Sequence, residues 1–204
     1  MNSFNKLVEL FRKFPGIGPR QAERFAYFLL SEPNGYIKEL THELENLKSE
    51  SSICTSCFRY FPKNKSETQL CAICNDKNRD SSKLLVISHE RDLENIEKTH
   101  VYDGFYFVIG GTLPILDKEP EKRIRINELT EIINKRLSNL DEVILAMNAT
   151  TEGEHTGEFI TERIRQLSEK GKFKISQLGR GLSTGSELEY SDSDTIKNAL
   201  KNRA

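Results

Sequence analysis

Apolar residues recur along this chain in two rhythms. In residues 1–50 they fall three and four apart: Leu7, Leu10, Phe11 and Phe14, then Ala22, Phe25, Ala26 and Leu29 beyond a Pro-Gly break, then Ile37, Leu40, Leu44 and Leu47. That spacing gathers each set on one helix face and predicts a helical domain over residues 1–52. From residue 84 short unbroken apolar runs take over, Leu84–Ile87, Phe105–Ile109, Val143–Ala146 and Phe173–Ile175, separated by helical stripes over 91–99, 127–139 and 157–170. Runs of this kind read as strands buried on both faces. Alternated with helices, they predict a parallel sheet with flanking helices over 84–175. Residues 53–83 are rich in Cys, Ser, Lys and Asn and too poor in aliphatics to fold by burial alone. Residues 176–204 form a tail: Glu187 and Glu189 alternate with Leu188 as in a short strand, and a helix over 193–202 has Ser191 or Ser193 as its N-cap. The fold class is α/β in several domains: an N-terminal helical domain, a small cysteine module, a parallel sheet with flanking helices, and a C-terminal tail.

The 204 residues carry a net charge of −1, with 36% hydrophobic and 30% charged residues, a balance fit for a core in water. No stretch approaches the ~20 consecutive apolar residues of a membrane span. Met1 to Arg12 lack the order of a secretory signal, so the expected address is the cytoplasm, with no membrane partner. Local charge says more than the total. Residues 1–30 hold five basic and two acidic groups, and residues 53–83 hold six and three, so two basic patches lie in the amino-terminal part of the chain. With a pI near 6.5, nucleic acid would be held through such patches, multiplied by oligomerisation, and not by the molecule as a whole.

The first patch surrounds Phe11, Phe14, Gly16, Ile17, Gly18, Ala22, Phe25 and Ala26, the spacing of a helix-hairpin-helix. Pro15 ends one helix, Gly16 and Gly18 permit a tight turn with no side chain in front of the backbone, and Ile17 plugs the space between the helices. Pro19 suits the first turn of the next helix, whose free amides and positive dipole end make a phosphate site. Arg20 and Arg24, one turn apart, add charge beside it. Such contacts position a protein without reading bases, so DNA binding through Gly16, Gly18, Arg20 and Arg24 is expected to ignore sequence and to weaken with salt.

The second patch contains all four cysteines, Cys54, Cys57, Cys71 and Cys74, spaced C-x2-C-x13-C-x2-C. This is the pattern of a tetrahedral Zn²⁺ site, one ion per chain. Four thiolates leave no open position for substrate, so the ion is structural, and it orders a segment that burial alone cannot. Arg59, Lys63 and Lys65 on this module suit either DNA contact or plain solvation.

The third feature follows strand Val143–Ala146, where Met147-Asn148-Ala149-Thr150-Thr151-Glu152-Gly153-Glu154 leads into a helix. Loops at the carboxyl ends of parallel strands are where such sheets hold ligands. The segment resembles the Toprim domain of topoisomerases and primases, whose loop reads D-x-D-x-E-G-E. Its two metal-binding aspartates would fall at Asn148 and Thr150, and its first acidic residue at Ser88. An amide and two hydroxyls cannot replace the clustered carboxylates that Mg²⁺-dependent phosphoryl transfer needs. Glu152 and Glu154 remain, alongside Glu90 and Asp92, as an acidic patch for docking a protein or as a solvated loop.

The order of these parts, closed by Gly185-Ser186-Glu187-Leu188-Glu189-Tyr190, resembles the bacterial RecR family of recombination mediators over essentially the whole chain. Further residues carrying the resemblance are Tyr106-Phe107-Val108-Ile109-Gly110-Gly111. The resemblance implies a non-enzymatic, nucleoid-associated DNA-repair protein forming a homo-oligomeric ring, expected as a tetramer, on gapped DNA or single/double-strand junctions. It implies that RecO, and sometimes RecF, act with it to load RecA onto gaps coated by single-strand-binding protein. Glu152 and Glu154 would receive RecO, and the tail would clasp a neighbouring subunit without forming a nucleotide site. Ala149 stands where the family often has Pro, and Ser88 where it has Glu, which removes metal chemistry and leaves the scaffold. The competing classes are a metal-dependent Toprim nuclease or primase, and a zinc adaptor that binds only proteins.

Overall fold

The computed structural model describes residues 2–63, 68–116, 119–179, 191 and 193–201. Its contacts divide the chain into two units, one of residues 1–52 and 62–64, the other of residues 53–61 and 65–204. Among the described residues no helix is long and apolar enough to cross a membrane.

The first unit holds α1 (Ser3–Phe11), α2 (Pro19–Ser31) and α3 (Asn34–Ser49). Asn2 caps α1, accepting a hydrogen bond from the Asn5 amide at 2.9 Å. Val8, Ala22 and Ala26 form its small core, with Phe4, Leu7, Phe11 and Ile17 packed around them. Two alanines at the contact allow the helices of the hairpin to approach closely. The first helix stops earlier than the stripe through Phe14 predicts. A proline disfavours helical geometry at the residue before it and has no amide of its own, so Pro15 displaces the end of α1 to Phe11. Phe14 instead begins a turn and is 53% exposed. The α3 stripe differs too: no residue of α3 is buried, and Leu44 and Leu47 are exposed.

The second unit is built on β3 (Asp80–Ile87), β4 (Gly104–Val108), β5 (Glu142–Ala146) and β6 (Lys174–Gln177), all parallel, in the order β4-β3-β5-β6. β1 (Ser51–Ile53) and β2 (Tyr60–Pro62) pair in a separate two-stranded sheet beside the first cysteine pair. Alternation along the apolar runs feeds two cores. Leu84, Val86, Phe105 and Phe107 face one side with α7 (Ile126–Arg136) and α8 (Thr151–Gly171), through Leu129, Ile133, Ile160 and Ile164. Leu85, Ile87, Tyr106 and Val108 face the other with Leu93 of α5 (Glu90–Glu97). Shorter helices are α4 (Ala72–Asn75) and α6 (Pro120–Arg123), and α9 (Ser193–Lys201) ends the described chain. Ser193 is already helical, and residue 192, between the two proposed caps, lies outside the described residues, as do Glu187 to Tyr190.

β3 begins at Asp80, ahead of its apolar run, and a bulge separates the Asp80–Gly104 pair from the regular register that starts at Leu84. A larger difference is the start of α8 at Thr151, within the segment read from sequence as a loop. Glycines at 153 and 157 disguise that start by propensity; both are buried, and at Gly153 a side chain would strike the Asn148 carbonyl, whereas at Gly157 a Cβ would make only ordinary contacts.

Candidate DNA, metal and acidic sites

At the hairpin, the Phe14 carbonyl accepts the Ile17 amide at 3.1 Å and Gly16 adopts φ +75°, a left-handed conformation that favours glycine. Gly18 has ordinary extended geometry (φ −82°), so its lack of a side chain is not a matter of backbone strain. An added Cβ there would meet no protein atom within 4 Å. What glycine leaves at this position is open backbone at the start of α2. No side chain caps that helix, Pro19 occupies its first turn, and the first amide bonded back to the turn is that of Ala22, to Gly18 at 3.0 Å. The amides ahead of it therefore face outward together with the positive end of the helix dipole. Arg20 and Arg24 are both exposed. Arg24 reaches only Gln21, at a long 3.5 Å, and among the described residues Arg20 has no ion-pair partner.

The four cysteines converge. Their sulfurs lie within 4.8 Å of one another, with Cys57 and Cys71 3.6 Å apart, and Cys54, Cys57 and Cys71 are fully buried. A tetrahedral ion with Zn–S bonds of ~2.3 Å separates its sulfurs by roughly 3.8 Å, a spacing close to that of this set. The Cys71 amide donates to the Cys54 sulfur at 3.4 Å, as expected where a thiolate needs a donor. Hydrogen bonds with Cys57, Cys71 and Cys74 hold the Cys54 thiol far below its ordinary range. The same crowding, led by Cys54, pushes Cys57 far above it. Four sulfurs this close repel one another as thiolates, and a divalent cation between them offsets that repulsion.

This cluster is docked on the sheet. The Val108 amide, on the outer strand, donates to the Cys57 carbonyl at 2.8 Å. Phe58, at φ 61°, turns onto Phe107 with ring centroids 5.3 Å apart, while Ile73 and the cysteines join Tyr106 and Val108 on the opposite face. From α7, Arg136 crosses the face of Phe105 at 4.7 Å and donates to the Ser56 hydroxyl at 3.2 Å. Sequence reading missed Arg136 because a basic residue in the last turn of a helix has an ordinary explanation in the dipole. Arg59 is partly buried and Lys63 exposed; Lys65 lies outside the described residues.

The acidic segment is a helix start, not a loop. Thr150 caps α8, its hydroxyl accepting the Gly153 amide at 3.1 Å. Gly153 is buried against the Asn148 carbonyl, which an added Cβ would strike. Glu152 and Glu154 are exposed in the first turn, where negative charge suits the dipole. The Thr112 hydroxyl approaches Glu152 at 3.5 Å. Buried Thr156 donates to the Glu152 carbonyl at 2.6 Å and accepts the Leu113 amide at 2.8 Å. Ser88 is fully buried and donates to the Met147 sulfur at 3.5 Å. Asp92 accepts the His89 amide at 3.0 Å and so serves the start of α5. Each position that could have carried a metal-binding acid now makes a structural contact or faces solvent as a neutral group.

Three family models match the chain: RecR, helix-hairpin-helix over residues 4–48; Toprim domain over residues 82–179; and RecR, C-terminal over residues 181–204. Curated relatives agree along nearly the full length. The recombination protein RecR of Dehalococcoides mccartyi is 36% identical over 199 residues, covering 98% of this chain and 92% of its own. That of Legionella pneumophila is 36% identical over 204 residues, covering 100% and 97%. That of Prochlorococcus marinus is 34% identical over 199 residues, covering 98% and 94%. With the hairpin, the cysteine cluster and the parallel sheet in the same order along it, the chain belongs to the RecR family of recombination proteins.

Proposed function

We propose that this chain is a non-enzymatic mediator of recombination in DNA repair, binding gapped DNA or single/double-strand junctions without regard to sequence. The observation that carries this is the uncapped start of α2, where open backbone at Gly16 and Gly18 stands beside the exposed guanidinium groups of Arg20 and Arg24. A single such site is weak, since one helix start and two arginines neutralise few phosphates. Copies held in a ring multiply it through effective concentration. Exposed Leu10, Tyr27, Phe28 and Leu30 on the hairpin unit support burial between subunits of a homo-oligomer, a tetramer in this reading. RecO, sometimes with RecF, is the partner at Glu152 and Glu154, and the outcome is RecA loading onto gaps coated by single-strand-binding protein, in the cytoplasm at the nucleoid.

Cys54, Cys57, Cys71 and Cys74 would hold one Zn²⁺, which supplies a cross-link between two chain segments and, with four thiolate ligands, has no position left for substrate. The divisions at 1–52, 53–83, 84–175 and 176–204 then correspond to DNA binding, metal clip, scaffold with partner face, and subunit clasp. The absence of a catalytic role is supported by Ser88, Asn148 and Thr150, which offer no carboxylate where a Toprim enzyme holds its metal.

The test is a salt titration of DNA binding by gel shift. Arg20→Ala and Arg24→Ala should each lower affinity on gapped duplexes and reduce the salt slope by ~1, with the fold retained by circular dichroism. Unchanged affinity and slope in both variants would defeat the assignment. Mg²⁺-dependent cleavage or primer synthesis that disappears on changing Glu152 would favour the enzyme instead.

A further inference from the structure

The half-buried guanidinium of Arg136 is placed in the second unit with one of its nitrogens unaccounted for. Nη2 donates to Ser56, between Cys54 and Cys57, and the plane stacks on Phe105. Nη1 is out of contact with water and has no hydrogen-bond partner among the described residues. A buried cationic donor left unpaired is costly, and such a group is usually kept only where a negative charge compensates it. Burial works against the charge on Arg136, and the neighbouring Cys74, Tyr102 and Cys57 are the groups placed to favour it.

A zinc ion with four thiolate ligands carries a net charge of −2. On the described residues, the sulfurs receive a backbone donor at Cys54 from Cys71, and α7 brings a full positive charge alongside. Resting on the reading of the cysteines as a zinc site, we propose that Arg136 is the counter-charge of that site: a positioning residue that offsets the tetrathiolate's charge and ties metal occupancy to docking of the cysteine module on α7. Ligand partners outside the first coordination sphere tune metal retention strongly, and a guanidinium fork is suited to hold a hydroxyl and a charged cluster at once.

The test uses the full-length zinc-loaded protein and its Arg136→Met and Arg136→Lys variants, titrated with a chromophoric zinc chelator. Arg136→Met should surrender zinc at roughly tenfold lower chelator concentration than the parent. Arg136→Lys, which keeps the charge and loses the fork, should recover part of the difference. Thermal melting separates charge compensation from packing: parent and Arg136→Met should differ when zinc-loaded and melt together once metal-free. Equal chelator resistance in parent and Arg136→Met, or an equal melting loss in both metal states, would overturn the inference while leaving the zinc site standing. A parent protein that purifies without stoichiometric zinc and takes none up would instead overturn the zinc reading, and this inference with it.

Discussion

Two helix starts, α2 in the hairpin unit and α8 in the sheet unit, each follow a turn and each depend on a glycine. At α2 no side chain caps the first amides, the adjacent charges are Arg20 and Arg24, and Gly18 has empty space where a side chain would go. At α8 the Thr150 hydroxyl takes up an amide, the adjacent charges are Glu152 and Glu154, and Gly153 has no room for a side chain. The same local geometry is therefore open to an anion in one place and closed to it in the other. A glycine with space beside it marks a surface kept clear for a ligand, whereas a glycine without space marks internal packing. Spacing alone does not separate the two, because both read as Gly beside a helix.

The contrast can be broken most sharply at Gly153. Gly153→Ala forces a methyl against the Asn148 carbonyl and should destabilise the protein by about 3 kcal/mol, read as a lower urea midpoint. An unchanged midpoint would mean that the turn before α8 is as open as that before α2. Reversing the charge at the other start comes next. Arg20→Glu should weaken DNA binding by more than about tenfold at low salt, with the difference shrinking as salt is raised. Thr150→Ala removes the cap of α8 and should lower stability by about 1 kcal/mol in denaturant unfolding, with DNA affinity intact. Gly18→Ala should change stability least, by about 0.5 kcal/mol, yet weaken binding in the gel shift by covering the open amides. Loss of stability without loss of binding in Gly18→Ala would place that glycine in the same class as Gly153.

The parallel sheet was legible because strands buried on both faces leave continuous apolar runs, as β3 to β5 do. β6 begins only at Lys174, leaves Phe173 outside it and is exposed or half-buried along its length, so its apolar run marked the strand but not its burial. The cysteine cluster was legible because paired ligands must be close in sequence. The extra turn and a half of α8 was hidden: Gly153 and Gly157 carry low helix propensity, and at Gly153 only tertiary packing against Asn148 explains the glycine. The early end of α1 was visible in principle, since Pro15 constrains Phe14 as well as itself. Arg136 was not visible, because its role arises from a contact eighty positions away in sequence, at Ser56. Asp92 was grouped with the acidic patch by charge, whereas its carboxylate serves the backbone of His89.

The bond between the Cys57 carbonyl and the Val108 amide has a further consequence. β4 is the last strand on its side of the sheet, and its outward-facing amides are a template on which another chain could add. The cysteine knuckle sits across that template as a shield. Stripping or oxidising the cysteines would then show itself first as self-association of the protein through bared strands, well before any change at the hairpin.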